Sequence, residues 1–290
     1  MTHTYYCPMR WGDMDAQGHV NNGAYLDYLQ EARVDFLMAS HDALHRLLGT
    51  GVLVTGHQVE YLRPVTYSER PLRVELGINQ VGGARFSVGY EVFDGDELAA
   101  RARTTAAPFD LATATLRRLT AGEREALQAT AAPAEPLRPL AKVRLDASVP
   151  SYRLAVRWSD LDSYGHVNNV KFFDYVQEAR VALLREALDW QPVDVWVIAR
   201  QDVEYHRPLD FRTQPYQVRN AVTAIGTRSF TLAAEVLDPD SGQIFASART
   251  VAVGQRPLTE AQRTSLGGIG ILAGSHGPAV AQPDPAQPVR

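Results

Sequence analysis

The residues best suited to catalysis in this sequence occur twice, in two copies of one polar segment. Residues 10–33 and 157–180 are identical at 15 of 24 aligned positions, at an offset of 147. Both copies contain the pattern D-x-D-x-x-G-H-V-N-N. Carboxylate and imidazole groups transfer protons and attack carbonyl carbons in many enzymes. The chain is therefore predicted to be a tandem duplication that carries one reactive segment in each half.

The second aspartate and the histidine of each segment are the candidate catalytic side chains. They are Asp15, Asp162, His19 and His166. The aspartate could attack a carbonyl directly or deprotonate a water molecule, and the sequence leaves both routes open. The histidine could assist as a base, hydrogen-bond a substrate carbonyl or only fix the loop. For the first aspartates, Asp13 and Asp160, we expect a structural role beside the helix that follows.

A long helix is predicted to follow each segment and to position it. Apolar residues recur there at helical spacing, as Tyr25, Leu29, Ala32 and Phe36 and again as Phe172, Val176, Ala179 and Leu183. Asn22 and Asn169 stand at the start of the helices, where their side chains are predicted to cap the first turn. The free amides and positive dipole end of such a helix suit a developing oxyanion.

Charged residues also repeat on these helices. Glu31 and Arg33 of the first copy have counterparts in Glu178 and Arg180 of the second. Charges at helical spacing usually lie on solvated faces or at interfaces. We therefore predict a salt-bridged helix face at these positions rather than a binding site.

Further repeated segments extend the duplication over most of the chain. Residues 58–64 (QVEYLRP) match residues 202–208 (DVEYHRP) at an offset of 144. Strands are predicted at 193–205, 215–225 and 230–237, which are rich in β-branched and aromatic residues. Because runs of strands follow a single helix, the pattern favours an antiparallel α+β arrangement. The predicted domains are 1–131 and 150–266, with a proline-containing linker at 132–149 and a disordered tail at 267–290.

Composition excludes several classes of function. The formal net charge is −4 and no lysine or arginine run occurs, so nucleic acid is not an expected partner. The single cysteine, Cys7, excludes an internal disulfide framework and a cysteine-based zinc site. A calcium loop would need a glutamate where the copies have Ala24 and Lys171. With no signal pattern and no long apolar run, we expect a cytoplasmic protein without membrane insertion, metal or other cofactor.

The paired segment, followed by a helix and a V-E-Y-x-R-P strand, resembles the hotdog-fold thioesterases. The similarity is to the 4-hydroxybenzoyl-CoA thioesterase-like branch and to the plant fatty acyl-ACP thioesterases, over roughly residues 4–125 and 150–265. This resemblance implies a tandem double hotdog, in which a curved antiparallel sheet wraps a long helix in each half. It also implies that the halves pair as an intramolecular pseudo-dimer, with active sites between them, and leaves open a higher homo-oligomer.

The resemblance also implies an activity and assigns roles to residues. Asp15 and Asp162 match the catalytic carboxylates, and the backbone amides of Asn22 and Asn169 match the oxyanion site. The histidines match members of the catalytic set in the acyl-ACP branch. That branch has a catalytic asparagine where this chain has Gln17 and Tyr164, which are expected to make only polar contacts. An Asp-centred acyl-CoA thioesterase is therefore the expected function.

Three other functions are left open by the sequence. An acyl-ACP thioesterase and a non-catalytic hotdog that binds acyl-CoA are the alternatives, and a hotdog hydratase ranks lower because its motif is missing. Both copies keep the aspartate, the histidine and the asparagine pair, which favours two competent sites. Gln17 and Tyr164 differ between the copies, so the two sites are expected to be unequal in rate or chain-length preference.

Overall fold

A computed structural model of the chain describes residues 2–39, 42–113, 115–132, 134–135, 137–188 and 196–271. In the first half the elements are β1 (His3–Cys7), α1 (Ala24–Ala39), α2 (Asp42–Thr50), β2 (Val52–Tyr61), β3 (Leu72–Val81), β4 (Phe86–Asp94), β5 (Glu97–Asp110), β6 (Thr115–Leu116) and α3 (Ala121–Ala129). A short 3-10 turn at Trp11–Asp13 precedes α1.

The second half repeats this order. Its elements are β7 (Ser151–Leu154), α4 (Lys171–Ala187), β8 (Trp196–Tyr205), β9 (Tyr216–Ile225), β10 (Ser229–Leu237), β11 (Ile244–Gly254) and α5 (Glu260–Gly268). The 3-10 turn recurs at Trp158–Asp160. Within the described ranges, only α2 and β6 lack a counterpart in the other half.

The strands of both halves join in one antiparallel sheet. The order of the described strands is β1-β3-β4-β5-β2-β8-β11-β10-β9-β7, and β6 pairs with β5. The two halves meet where β2 pairs with β8, with Gly56 opposite Glu204 and Glu60 opposite Arg200. We call this β2–β8 pairing the seam. The predicted strands at 215–225 and 230–237 correspond to β9 and β10 and are confirmed. The predicted strand at 193–205 is confirmed as β8 from Trp196 onward, and residues 193–195 lie outside the described residues.

The long helices α1 and α4 bury the predicted apolar stripes against the sheet. Every residue of both stripes is buried, from Tyr25 to Phe36 and from Phe172 to Leu183. One apolar core contains residues of both halves, which includes Phe86 of β4 and Phe173 of α4. The apolar residues on these helix faces thus hold the repeated polar segments against the sheet, because burial of a large apolar side chain stabilises the fold by about 1.5–3 kcal/mol.

The short helices α3 and α5 begin with the same capping arrangement. Thr120 accepts a hydrogen bond from the amide of Glu123, and Thr259 accepts one from the amide of Gln262. The side chains of Glu123 and Gln262 accept from the threonine amides in return. Reciprocal bonds of this kind satisfy two free donors at a helix start.

From Ala141 onward, the chain between the halves lies against the second half. Arg249 of β11 donates from Nε to the carbonyl of Ala141 at 2.9 Å and from Nη2 to the carbonyl of Val143 at 2.6 Å. Leu145 and Val149 are buried in a small apolar cluster. Lys142 also pairs with Glu204 of β8 at 2.8 Å, so both polar and apolar contacts hold this part of the predicted linker to the sheet.

The domain limits given above stay predictions. Helix α5 ends at Gly268, and the amide of Ile271 donates to the carbonyl of Val222 at 3.0 Å. Of the predicted tail at 267–290, residues 272–290 lie outside the described residues. In the described part of the chain, no helix combines the length and the apolar character that a membrane span needs.

Candidate active site

A tight loop presents the second aspartate of each segment. The amide of Asp15 donates to the carbonyl of His19 at 2.7 Å, and the amide of Gly18 donates back to the carbonyl of Asp15 at 3.0 Å. Gly18 has a φ of 77°, a left-handed conformation that favours glycine. The second copy has the same two bonds, between Asp162 and His166 at 2.8 Å and within 162–165 at 3.0 Å.

The loop amides hold one oxygen of each carboxylate. Asp15 Oδ1 accepts from the amides of Gln17 at 2.8 Å and His19 at 3.2 Å. Asp162 Oδ1 accepts from the amide of Tyr164 at 2.8 Å. Both aspartates are partly exposed, and their Oδ2 atoms have no hydrogen-bond partner among the described residues. Each carboxylate is thus oriented by the backbone and keeps one oxygen available for attack or for proton transfer.

The first aspartates are buried and fix the 3-10 turns that lead into these loops. Asp13 accepts from the hydroxyl of Tyr28 at 2.6 Å and from Nε of Arg10 at 3.0 Å. Asp160 accepts from the hydroxyl of Tyr175 at 2.6 Å. Burial opposes the charge of Asp13, but the bonds from Arg10 and Tyr28 outweigh it and lower the pKa of the carboxyl. The predicted structural role of the first aspartates is confirmed.

The two histidines lie on the loops in different surroundings. His166 Nε2 is 3.8 Å from Oδ1 of the exposed Asp210. The position that corresponds to Asp210 in the first half, at an offset of 144, is Thr66. His19 therefore has no such carboxylate at this position. Both histidines are partly exposed, so a role in either proton transfer or loop structure is compatible with their placement.

The two asparagines of each pair have roles that differ from the predicted ones. Asn21 Oδ1 accepts from the amide of Gly23 at 2.8 Å, and Asn168 Oδ1 accepts from the amide of Val170 at 3.0 Å. It is thus the first asparagine of each pair that binds the free amides ahead of the helix. The prediction that the side chains of Asn22 and Asn169 cap the helices is wrong.

The second asparagines instead reach across the seam to the opposite half. Asn22 Nδ2 donates to Gln201 Oε1 of β8 at 3.2 Å. Asn169 Oδ1 lies 2.8 Å from Nε2 of His57 on β2. These side chains leave the helix start because a strand of the other half offers a buried polar partner there. Sequence spacing within one half contains no information about that strand.

The backbone at the helix starts agrees with an oxyanion site. No hydrogen bond leaves the amides of Asn22 and Asn169 within the part of the chain that the structure describes. Their carbonyls accept from the hydroxyls of Tyr61 and Tyr205, each at 2.7 Å. An unpaired amide at the positive end of a helix stabilises a negatively charged oxygen. The amide that the resemblance assigns to the oxyanion site is therefore left without a partner among the described residues in both copies.

Four residues of the two seam strands form hydrogen bonds with Asn22 or Asn169 but were missed in the sequence. These are His57, Tyr61, Gln201 and Tyr205. The tyrosines stand in the repeated V-E-Y motif, which could have identified them. His57 and Gln201 occupy equivalent positions but differ in type, so the duplication offered no signal. Gln17 also contacts the seam strand, because its Nε2 donates to the carbonyl of Trp196 at 3.3 Å, while Tyr164 is partly exposed.

The predicted salt-bridged helix face is wrong. Arg33 and Arg180 are buried, whereas Glu31 and Glu178 are exposed, and none of the four forms an ion pair within the described ranges. Arg33 donates to the hydroxyl of Tyr90 at 3.2 Å, and Arg180 donates to Gln201 Oε1 at 3.5 Å. Burial lowers the pKa of Arg180 to about 10. The arginine side of each helix faces the protein interior, which the two-residue spacing from the glutamate allows.

A polar cleft of about 310 Å³ lies where the starts of α1 and α4 meet. Its lining includes Arg10, Asp13 and Asp27 from the first half and Lys171 and Asp174 from the second. None of the eight predicted site residues lines this cleft. In the described ranges, no cluster of three or more histidine, cysteine, aspartate or glutamate residues could hold a metal ion.

Comparison with known proteins places this geometry in a family. The sequence profile of the thioesterase-like superfamily matches residues 9–140 and 156–257. The structure is similar to the 12:0-ACP thioesterase from Umbellularia californica, with a TM-score of 0.72 and 18% identity over 88% of this chain and 94% of that one. It is also similar to an acyl-ACP thioesterase from Bacteroides thetaiotaomicron, with a TM-score of 0.68 and 15% identity over 87% and 97% of the chains.

A curated relative matches about a third of the chain. A provisionally named esterase of Aquifex aeolicus is 28% identical over 106 residues, which is 36% of this chain and 82% of that protein. The likeness to the two solved structures shows the fold, and the predicted tandem hotdog is confirmed. Because the profile matches both copies of the segment, the chain belongs to the thioesterase-like superfamily, as a double-hotdog thioester hydrolase.

Proposed function

We propose that the chain is an acyl-CoA thioesterase that hydrolyses fatty or aryl acyl-CoA to the free acid and CoA. One observation supports this most. In each half, a carboxylate held by loop amides lies on the segment that leads to an unpaired amide at the start of the long helix. A carboxylate and a fixed N–H donor are the two groups that thioester hydrolysis needs. The proposal includes a cytoplasmic location, in keeping with a single cysteine.

Both routes left open by the sequence can be written for this arrangement. In the first, Asp15 or Asp162 takes a proton from water while the water oxygen bonds to the thioester carbon. The C–S bond then breaks, and the sulfur leaves with the proton held by the carboxyl group. In the second route, the carboxylate oxygen bonds to the carbon, the thiolate leaves, and water hydrolyses the resulting anhydride. The helix amide binds the carbonyl oxygen in either route.

The carrier of the acyl group distinguishes this proposal from its nearest alternative. The whole-length likeness to two acyl-ACP thioesterases favours acyl carrier protein as carrier. Gln17 and Tyr164 favour CoA, because the acyl-ACP branch has a catalytic asparagine at that position. We give more weight to the site residues, since fold alone does not determine substrate.

The test measures thiol release from a panel of acyl-CoA and acyl-ACP substrates. The variants are Asp15→Asn, Asp162→Asn and the double variant, with Asp96→Asn in an exposed turn as the matched control. We expect the double variant to lose turnover by roughly 10²- to 10⁴-fold, as loss of a positioned base implies. Cys7 does not disturb the assay, because it is buried and burial raises the pKa of its thiol to about 11.

A different result would contradict each part of the proposal, namely the catalytic groups, the carrier of the acyl group and the hydrolysis itself. Wild-type turnover in a folded double variant would reject the two aspartates as the catalytic groups. Faster turnover of acyl-ACP than of the matching acyl-CoA would make the carrier protein the substrate. Binding of acyl-CoA without release of any thiol across the panel would identify a non-catalytic acyl-CoA-binding protein.

A further inference from the structure

The side chains of Asn22 and Asn169 are held across the seam by two residues that occupy the same position of the repeat. His57 and Gln201 are separated by the 144 residues that relate the V-E-Y motifs. His57 Nε2 contacts the oxygen of Asn169, whereas Gln201 Oε1 contacts the nitrogen of Asn22. The two halves therefore use opposite ends of the same asparagine carboxamide.

The tautomer of His57 follows from the orientation of the Asn169 carboxamide, whose oxygen faces the ring. Burial, followed by the charge of Arg33, lowers the pKa of His57 to about 3, so the ring is neutral at working pH. Asn169 Oδ1 can only accept, which places the single ring proton on Nε2. The bare Nδ1 then accepts from the hydroxyl of Thr104 at 2.9 Å. Asn169 Nδ2 is left without a partner among the described residues.

The orientation at Asn22 follows from a buried cation. Arg180 Nη1 donates to Gln201 Oε1 at 3.5 Å, which turns the amide oxygen of Gln201 toward the guanidinium. Reversal of Gln201 would point its NH₂ group at that cation. The same oxygen accepts from Asn22 Nδ2, so the end of Asn22 that remains is its oxygen. Gln201 Nε2 is itself buried and has no partner in the described part of the chain.

We infer that His57 and Gln201 give the two sites opposite polarity, and that the Asp162 site presents an N–H donor of Asn169 to the thioester oxygen. The Asp15 site presents the carbonyl oxygen of Asn22 instead. This inference rests on the proposed thioester hydrolysis and deepens it. A donor stabilises the negative oxygen of the tetrahedral intermediate, while an acceptor repels it. The Asp162 site is therefore the faster site in the chemical step, and His57 is its positioning residue.

The kinetic test isolates each site in the full-length chain. Asp15→Asn leaves the Asp162 site, and Asp162→Asn leaves the Asp15 site. We expect the Asp162 site to have the higher kcat by about tenfold to a hundredfold, below the roughly 10²- to 10³-fold effect of removing one oxyanion donor. Addition of His57→Gln to the Asp15→Asn background should lower kcat at least about tenfold with KM within about twofold.

Two further kinds of variant test the same inference without relying on His57→Gln. One exchanges the residue at position 201, and the other removes the asparagine side chains themselves. Gln201→His in the Asp162→Asn background should raise kcat. Asn169→Leu should lower kcat in the Asp15→Asn background, which keeps the Asp162 site. Asn22→Leu should not lower kcat in the Asp162→Asn background, which keeps the Asp15 site. Circular dichroism verifies folding, and if His57→Gln does not fold, the two asparagine variants decide. Equal kcat values for the two sites, or a change confined to KM, would overturn the inference.

A second measurement does not depend on activity. Nitrogen-15 spectra of histidine-labelled wild-type protein at pH 7 report which ring nitrogen of His57 carries the proton. A proton on Nε2 is expected, and a proton on Nδ1 would overturn the inference even in an active enzyme. Absence of thiol release from the wild type, in contrast, would reject the proposed function, and the polarity argument would fall with it.

Discussion

Gln58 Nε2 donates to Asp202 Oδ2 at 3.1 Å, although these two residues occupy the same position of the duplicated sequence. They are also opposite each other in the β2–β8 pairing. The pseudo-twofold axis of the molecule therefore passes between them. In a dimer of identical chains, each residue at this position would face its own copy. The tandem chain instead places the amide of Gln58 opposite the carboxylate of Asp202. The other oxygen of that carboxylate, Oδ1, forms a salt bridge with Nε of Arg200 at 2.8 Å.

Placing a carboxylate on both sides of this axis should weaken the β2–β8 pairing. Gln58→Glu places a second carboxylate beside Asp202 at unchanged side-chain length. Because like charges directly opposite in a sheet repel, we expect the free energy of unfolding to fall by about 1 kcal/mol. The control is Gln58→Met, which removes the hydrogen bond without adding charge. Urea unfolding at low and high salt measures both, and a glutamate variant as stable as the methionine variant would contradict the argument.

His57 should make the stability of the protein depend on pH. Its folded pKa of about 3 lies below the ordinary value of 6.5, so the unfolded chain takes up the proton first as pH falls. The stabilisation is complete above pH 6.5 and is lost progressively between 6.5 and 3. Each pH unit in that window costs about 1.4 kcal/mol.

The measurement compares the wild type with His57→Gln in urea at pH 7.5 and at pH 5.5. Glutamine has no proton to gain, so the variant should lose less stability than the wild type between the two conditions. His206→Gln, at an exposed position, provides the control for a histidine outside the core. Parallel losses in the wild type and in His57→Gln would show that His57 titrates normally.

The buried aspartates should stabilise the fold without taking part in the chemistry. Asp13→Asn weakens the bonds from Tyr28 and Arg10 while keeping the shape of the side chain. We expect a loss of about 1–3 kcal/mol, because the partners of a buried carboxylate are left incompletely bonded. Asp160→Asn is the matched variant in the second half, where Tyr175 has the same role.

At low pH, the stability difference between the wild type and Asp13→Asn should disappear. The pKa of Asp13 is lowered in the folded state, so its contribution is present above the ordinary value of 3.8 and is lost as pH falls through the folded pKa. Thermal unfolding at pH 7 and at about pH 2.5 measures the effect. The gap between the wild type and Asp13→Asn should narrow in acid, and a constant gap would mean that the carboxylate charge contributes nothing.

The parts of the fold that were predictable depend on local patterns. The stripe from Tyr25 to Phe36 indicates a buried helix face, because side chains three or four residues apart share one side of a helix. The strand at 216–225 is marked by its β-branched residues. Each of these signals lies within a single helix or a single strand, so the amino acids alone are sufficient.

The failed predictions involve partners that are distant in sequence. Asn22 was expected to cap its own helix, but its side chain bonds to Gln201, 179 positions away. Arg33 was expected on a salt-bridged helix face, but it is buried, because one helix turn does not show which side the rest of the fold will cover. A side chain with several allowed partners takes the one that the packed structure places within hydrogen-bond distance.

The sequence by itself determined that there are two halves, that each carries an aspartate ahead of a helix, and that both belong to one fold. Only the tertiary structure decided that the asparagine ahead of each helix bonds to a strand of the other half, Asn169 to His57 and Asn22 to Gln201. The reason is physical. Helices and strands form from neighbouring residues, whereas a hydrogen bond across the seam exists only after two distant strands have paired.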